Sequence, residues 1–373
     1  MVEIREVKTK SDLKKFVKYP FKLYKDVPQF MPPLISEDLS DWDPKKNPAF
    51  EYSEARCFLA YRDGEIVGRI GAILSHAANQ KWGTKRMRFT QVDFINDDEV
   101  VDALFATVEN WAREKGMTEV HGPLGFTDQD REGMLVEGFD QKSMFITYYN
   151  YPYYIDQLTR VGYVKDVDWV EFLIDVPYDE KTVDRLHRLA ERVSRMTGLH
   201  VADVPRRRYP EYIPKVFELV NLCYAPLYGT VDLSQAQIDK CSKKFAPLVN
   251  PKVAAFVEND AGDLVAFGVS APSIASAIKR HNGHMFPFGF IDILHALHHN
   301  DTLDLFLIAV HPDYRNTGVN ALMMDKVLRG CHEIGIKKAE TGPQLELNEK
   351  IQHQWNLFNY KNHKRRRCFV KQL

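Results

Sequence analysis

The residue types and spacing best suited to chemistry lie between Asp304 and Asn320. The continuous apolar run Leu305–Val310 predicts a buried strand, which Pro312 ends. A polar turn follows, and a helix is predicted to begin near Val319. Such a turn directs backbone N–H groups to one point at the positive end of the helix dipole. Within the turn, Arg315 adds a positive charge and Gly318 permits close approach, so the chemistry suits a pyrophosphate. A plain turn capped by Thr317 is the alternative.

The turn also resembles a known motif. Val310–Gly318 matches V-x-P-x-[YF]-R-x-x-G, which resembles the acyl-CoA-binding motif of the GNAT acyltransferase superfamily, usually written [QR]-x-x-G-x-[GA]. Arg315, Gly318 and Asn320 take its written positions, with Asn320 standing where a small residue is usual. The resemblance implies acetyl-CoA or another acyl-CoA as co-substrate, without a metal. The cofactor-binding residues that it implies are Ile308, Ala309, Val310, Arg315, Asn316, Thr317, Gly318, Val319, Asn320 and Asn348.

Acyl transfer to an amine requires the neutral amine, so a general base is useful at neutral pH. Asp304 begins the predicted central strand, where several GNAT enzymes place a carboxylate base. Two-residue alternation predicts that its side chain shares a face with Phe306, Ile308 and Val310. Alternatively, Asp304 only bounds the turn that precedes the strand. Glu346 is the rival base.

Two further predictions concern the cofactor arm and the leaving thiolate. The resemblance implies that Asn348 holds the pantetheine arm, although Asn348 could instead cap the predicted helix Glu349–Phe358. Many GNAT enzymes carry a tyrosine acid in that helix, but Trp355 stands at the expected place here. Tyr360, further along the chain, is therefore the candidate acid. A thiolate can also leave with little help.

The elements that must position these residues occur twice. Each half contains a predicted hairpin (57–74 and 253–271), an amphipathic helix ended by glycine (100–115 and 321–334), and a strand running into Gly-Pro. This order predicts an α/β fold with a mixed, mostly antiparallel sheet in each of two tandem GNAT-like domains, 1–178 and 179–373. Further segments, among them Met134–Asp140 and Tyr149–Tyr154, resemble bacterial proteins with two GNAT-like halves.

The first half lacks the phosphate turn. Its counterpart, Ile95–Glu99, has no glycine or arginine and has three acidic residues. Acidic side chains at this position repel a pyrophosphate. The first domain is therefore predicted not to bind acyl-CoA and to form one wall of the acceptor site.

Composition narrows the function classes. The net charge of −1 gives no bulk reason to expect nucleic-acid binding, and five dispersed cysteines argue against a disulfide framework. The absence of an apolar run of about eighteen residues predicts a cytoplasmic protein without integral membrane association. Histidines within 281–299 are interpreted as surface or packing residues, and the apolar segment 285–299 as a channel flap or as packing between the domains.

The predicted function is N-acyl transfer from acyl-CoA, with acetyl as the leading acyl group, to an amine of a small molecule. One alternative is long-chain acyl transfer to a lipid-like amine. Another is a non-catalytic CoA-binding or structural tandem protein. The sequence leaves open the acceptor, the acyl length, the identity of base and acid, and the oligomeric state.

Overall fold

The computed structural model describes all residues, 1–373. The strands are Glu3–Glu6 (β1), Ser53–Arg62 (β2), Glu65–Ser75 (β3), Arg86–Phe94 (β4), Glu119–Gly122 (β5), Met134–Glu137 (β6), Val164–Asp175 (β7), His200–Val201 (β8), Ala255–Glu258 (β9), Leu264–Pro272 (β10), Thr302–Val310 (β11), Lys338–Thr341 (β12), Gln344–Leu345 (β13) and Tyr360–Gln372 (β14). The helices are Lys10–Leu23 (α1), Ile35–Asp41 (α2), His76–Trp82 (α3), Asp98–Glu114 (α4), Tyr153–Arg160 (α5), Glu180–Thr197 (α6), Tyr209–Tyr224 (α7), Gln235–Phe245 (α8), Ala275–Arg280 (α9), Gly289–Ala296 (α10), Val319–Ile334 (α11) and Glu349–His353 (α12).

Spatial contacts divide the chain into two compact units. The first comprises Met1–Val170, Ala275–Phe290 and His363–Leu373, and the second comprises Glu171–Ile274 and Ile291–Asn362. The predicted domains 1–178 and 179–373 follow the order of elements along the chain, whereas these units follow contact in space. The domain boundary therefore stays a prediction.

In the first unit the strand order is β1-β2-β3-β4-β5, followed by the last part of β14. Neighbouring strands are antiparallel except β4 and β5, which are parallel. The predicted hairpin is confirmed, and its turn at Asp63-Gly64 has both φ angles positive (51° and 84°), as a two-residue hairpin turn requires. Helix α4 packs on one face of this sheet, while α1 covers the other.

The second unit repeats this plan. Its strand order is β8-β9-β10-β11-β12, followed by the last part of β7, and only β11 and β12 are parallel. Helices α6 and α11 pack on one face, and α7 packs on the other. The predicted helix 321–334 is confirmed as α11, which ends at Gly335 in the left-handed conformation.

The α/β fold class is therefore confirmed in both units. The predicted helix Glu349–Phe358 is shorter than expected, because α12 ends at His353 and a 3-10 turn follows over Gln354–Leu357. No helix in the chain combines the length and the apolar character needed to cross a membrane.

Candidate functional site

Strands β11 and β12 of the second unit diverge halfway along β11. Their parallel pairing runs from Thr302↔Lys338 to Leu305↔Thr341, and β11 then continues alone on that edge to Val310. The backbone of residues 306–310 therefore has no strand partner on the β12 side. A strand edge of this kind can pair with an extended ligand.

A β-bulge marks the point of divergence. Consecutive residues of β10 pair with Leu305 and Leu307, so that Phe306 is the extra residue. A bulge bends its strand and interrupts the alternation of side chains between the two faces. Phe306 is half-buried, and its ring packs against Phe245 of α8 with the centroids 5.9 Å apart.

This bulge corrects the predicted orientation of Asp304. Paired residues of an antiparallel sheet share a face, so the observed register places Asp304 on the face of Leu307, which packs in the α7 core. Ile308 and Val310 lie on the opposite face, with α6 and α11. Asp304 itself is only 1% exposed. The prediction that it shares a face with Ile308 and Val310 is wrong, because simple alternation takes no account of the extra residue.

The predicted phosphate turn lies between β11 and α11. Asn316 and Gly318 have positive φ angles of 66° and 87°, and Gly318 is the N-cap of α11 without a side-chain cap. Thr317 is not that cap, since its hydroxyl donates to the Tyr314 carbonyl at 2.7 Å. The first turn of α11 therefore keeps amide donors that no side chain occupies, which suits an anion.

Two side chains contribute to the turn, Arg315 from within it and Val193 from helix α6. The exposed Arg315 has its Nε 3.4 Å from the Val310 carbonyl. A Cβ built on Gly318 would lie 2.9 Å from a methyl of Val193 on α6, so only glycine fits there without displacement. Val319 is buried and Asn320 is half-buried at the start of the helix. The turn is thus held by packing, and its arginine remains exposed to solvent.

The open edge of β11 is approached by side chains of α7. The Tyr224 hydroxyl donates to the Ile308 carbonyl at 3.1 Å, and the Cys223 thiol lies 3.2 Å from the Val310 carbonyl. Burial raises the pKa of Cys223, although Arg315 opposes that shift. Ala309 is buried between these positions. The carbonyls on this edge are therefore engaged by the protein itself.

The remaining predicted site residues follow β12. Asn348 is the N-cap residue of α12, but its side chain makes no capping hydrogen bond, so the capping alternative is not what the structure shows. Glu346 is half-buried. Tyr360 is 37% exposed at the start of β14, and its hydroxyl donates to Asn356 at 2.9 Å. Trp355 is buried, and its Nε1 is 3.3 Å from Gln344.

Two carboxylates near Asp304 were not predicted. Glu340 of β12 is the register partner of Asp304 across the parallel pair, so both side chains share a face just before the strands diverge. Glu171 of β7, which is fully buried, has a carboxylate oxygen within 4.8 Å of one from Glu340. Only the pairing of strands distant in sequence reveals this group. The acidic residue in the strand Lys338–Thr341 was the available signal.

The first unit repeats the strand divergence but not the phosphate turn. Its β4 pairs with β5 only over Arg86–Arg88 and then continues to Phe94. Asp97 caps α4 by accepting from the Val100 amide at 3.1 Å. Arg62 binds Asp97 through two hydrogen bonds of 2.8 and 2.7 Å, and these lower the pKa of Asp97 to about 2. A carboxylate thus occupies the place of an anionic ligand.

Tyrosine side chains also fill the edge of β4. Tyr154 stacks on Phe94 with ring centroids 4.0 Å apart, and its hydroxyl accepts from the Phe94 amide at 2.9 Å. Tyr153 donates to the Phe94 carbonyl at 2.7 Å. Tyr24 bridges Tyr154 to the buried Asp93, which pairs with Arg69. In the first unit the tyrosines engage both the amide and the carbonyl of Phe94, whereas in the second unit Tyr224 and Cys223 engage the carbonyls of Ile308 and Val310.

One group in the first unit has metal-ligand residue types. Ligand atoms of His121, Asp166 and Cys368 lie within 4.8 Å of one another. The Arg86 guanidinium, however, is 3.0 Å from the Asp166 carboxylate. Since a fixed positive charge beside the carboxylate opposes a cation, this group does not suit a metal.

Two curated proteins are similar to this chain in sequence over most of their length. No family model matches the chain. It is 27% identical to Protein YghO of Escherichia coli (strain K12), covering 99% of this chain and 95% of that protein. It is also 28% identical to a bacterial ceramide synthase of Caulobacter vibrioides (strain NA1000 / CB15N), covering 78% and 75% of the two chains.

Among solved structures, the chain is similar to a tandem GNAT protein from the clavulanic acid biosynthesis pathway. The TM-score is 0.56 at 14% identity, covering 100% of this chain and 98% of the other. The repeated order of strands and the nearly complete coverage of both chains lead to one conclusion. This chain has the tandem GNAT fold.

Proposed function

We propose that this protein is an acyl-CoA-dependent N-acyltransferase whose acyl-CoA site lies in the domain 179–373. The pyrophosphate would bind at Arg315–Asn320, with the pantetheine along residues 306–310 and near Asn348. The observation that carries this proposal is the divergence of β11 from β12 directly ahead of a helix whose first turn has no side-chain cap. The strand edge would hold the pantetheine arm, and the helix start that follows it would bind the pyrophosphate.

The acidic residues near the divergence supply the base that the reaction needs. The acceptor nitrogen attacks the thioester carbonyl, the C–N bond forms, and the C–S bond breaks. The proton of the amine passes to a carboxylate, for which Asp304 with its partner Glu340 is our first candidate and Glu346 the second. The thiolate leaves and is protonated by water or by Tyr360, the candidate acid. Asp304 is almost fully buried, so its proton transfer would run through a bound water.

The first domain, 1–178, has a different proposed role. Asp97 and Tyr154 occupy its positions for pyrophosphate and pantetheine, so we assign it to the wall of the acceptor site. Acyl-CoA should therefore bind with a stoichiometry of one per chain. Isothermal titration with CoA measures that number directly.

Long-chain acyl transfer to a lipid-like amine is the second candidate. It is favoured by the 28% identity to a protein named bacterial ceramide synthase, of which this chain covers 75%. The two candidates share the cofactor site and differ in acyl length and acceptor. Acyl-CoA donors of different chain length therefore distinguish the two candidates in the wild-type protein.

The decisive experiment is a thermal-shift comparison of CoA, acetyl-CoA and palmitoyl-CoA. A ligand at one hundred times its Kd stabilises the folded state by about 2.7 kcal/mol. Arg315→Ala should remove most of the shift. The control is Arg188→Ala, which removes an exposed arginine that lies on α6 and not in the turn, and this variant should keep the full thermal shift. A larger shift with palmitoyl-CoA than with acetyl-CoA, with detergent effects controlled, would favour the lipid candidate.

Release of CoA thiol then tests catalysis. Screening of small-molecule and long-chain amines should identify an acceptor whose turnover is lost in Arg315→Ala. Binding of CoA without thiol release for any amine would support the non-catalytic alternative. No shift with any of the three ligands would contradict the assignment of the phosphate turn.

A further inference from the structure

The end of helix α7 is hydrogen-bonded to the strand edge that the proposed acyl-CoA site would use. The Tyr224 hydroxyl donates to the Ile308 carbonyl at 3.1 Å, and the Cys223 thiol donates to the Val310 carbonyl at 3.2 Å. Both carbonyls belong to residues 306–310 of β11, which have no strand partner on the β12 side. We call these two hydrogen bonds the α7 contact.

Both accepting positions of the Val310 carbonyl are occupied within the protein. A carbonyl oxygen has two lone pairs and accepts two hydrogen bonds at most. The Cys223 thiol takes one position, and the Arg315 Nε, 3.4 Å from the same oxygen, takes the other. Burial raises the pKa of Cys223, so its thiol stays protonated and remains a donor at neutral pH. A ligand amide therefore reaches this oxygen only after Cys223 or Arg315 has moved.

The α7 contact also involves Arg315, the residue that the proposed site needs for the pyrophosphate. Arg315 interacts with the Cys223 sulfur as well as with the Val310 carbonyl. A guanidinium binds a phosphate best through two parallel N–H groups, and the occupied Nε is not available to such a pair. Three groups of the proposed site are therefore hydrogen-bonded inside the protein: the Ile308 carbonyl, the Val310 carbonyl and the Arg315 Nε.

The first unit has a tyrosine at the corresponding place, but in a more enclosed setting. Helices α1 and α7 each pack on the sheet face opposite the amphipathic helix of their unit. Tyr24 at the end of α1 is only 1% exposed, and its hydroxyl bonds to Asp93 of β4 and to Tyr154. Tyr224 at the end of α7 is half-buried. A half-buried hydroxyl that leaves its carbonyl can bond to water instead, so opening the α7 contact costs little.

We propose that the α7 contact is autoinhibitory and holds the acyl-CoA site closed until the ligand displaces Cys223 and Tyr224 from β11. This inference rests on the proposed acyl-CoA site in the second unit. The pantetheine amides would then donate to the Ile308 and Val310 carbonyls, and Arg315, released from Val310, would bind the pyrophosphate. Since only molecules with an open contact bind the ligand, the apparent affinity falls with the open fraction.

Isothermal titration of the full chain with CoA tests the proposal. Tyr224→Phe removes the hydroxyl and keeps the ring, and it should tighten CoA binding about three- to tenfold, the effect of losing one competing hydrogen bond. Cys223→Ala should tighten it about two- to fivefold, because a thiol is a weaker donor.

A second ligand separates the two halves of the contact. The nucleotide 3′-phospho-ADP is the part of CoA that lacks the pantetheine arm. Cys223→Ala frees Arg315 and should tighten binding of this nucleotide as well. Tyr224→Phe should leave its binding unchanged, because the nucleotide does not use the Ile308 carbonyl.

The matched control is Tyr212→Phe, which removes a tyrosine hydroxyl from the same helix, bonded to Glu258 at 2.6 Å instead of to β11. This variant should bind CoA like the wild type. Thermal unfolding confirms that each variant folds, and Tyr224→Phe alone decides if Cys223→Ala does not. If Tyr224→Phe binds CoA no more tightly than the wild type, while Arg315→Ala still loses binding, the autoinhibitory contact is overturned and the acyl-CoA site stands. CoA binding to none of these proteins would overturn both.

Discussion

Gly318→Ala should destabilise the fold for two separate reasons, a strained backbone and a steric contact. Gly318 has a φ of 87°, and a Cβ there would lie 2.9 Å from a methyl of Val193. The left-handed backbone costs alanine about 1 kcal/mol, and the steric contact adds about 1–2 kcal/mol. The two costs together are about 2–3 kcal/mol, so the variant should unfold about 4–12 °C below the wild type if each kcal/mol lowers the melting temperature by about 2–4 °C.

The other end of the same helix provides the control for this reasoning. Gly335 caps α11 with a φ of 78°, and a Cβ there would meet nothing within 4 Å. Gly335→Ala should therefore show the backbone cost alone, about half the loss or less. Val193→Ala should cost less in the Gly318→Ala background than in the wild type, because it relieves the contact. Melting curves of the four variants and the wild type give the comparison. Equal losses for Gly318→Ala and Gly335→Ala would refute the role assigned to Val193.

Three further predictions concern titratable groups. Asp304→Asn should lower the rate of CoA release by about 10²–10⁴-fold with little change in CoA affinity, whereas an unchanged rate would exclude Asp304 as the base and transfer attention to Glu340. Burial lowers the pKa of His121 to about 4, so the unfolded chain binds more protons as pH falls from about 6.5 to 4. Stability should then fall by up to about 3 kcal/mol over that window, and His121→Asn should flatten the slope in urea denaturation; an unchanged slope would contradict this. The Asp97 carboxylate, whose pKa Arg62 lowers to about 2, stabilises the fold above its ordinary pKa of about 3.9 and loses that effect as pH falls toward 2. Asp97→Asn should therefore cost on the order of 1 kcal/mol at pH 7 and progressively less below pH 4 in the same assay, whereas a cost independent of pH would argue against the ion pair.

The phosphate turn shows what local signals predict well. The sequence indicated a strand, a turn containing Arg315 and Gly318, and a helix from Val319, and the structure has each in that order. Its glycine has a positive φ, as expected for a residue chosen for backbone freedom. The alternative, a plain turn capped by Thr317, is wrong, because the Thr317 hydroxyl donates to the Tyr314 carbonyl and Gly318 is the N-cap of α11. A hydroxyl has several partners within reach, and the sequence does not rank them.

The candidate base Asp304 shows where signals from neighbouring residues in the sequence fail. Alternation along β11 predicted one face for Asp304 and Ile308, but the bulge at Phe306 separates them. The bulge depends on the pairing with β10, which lies some forty residues earlier in the chain. The partnership of Asp304 with Glu340 depends likewise on the parallel register with β12.

The sequence by itself determined the repeated order of elements and the presence of the phosphate turn in the second half but not in the first. Both follow from residue types that act on their own neighbours, such as Gly318 at a helix start and Asp97 at a helix cap. The tertiary structure alone decided which carboxylates meet, which strand edge the tyrosines cover, and that Phe286 and Phe288 remain exposed. These features depend on contacts between residues far apart in the chain, and hydrophobic pattern specifies that a side chain is apolar without specifying what covers it.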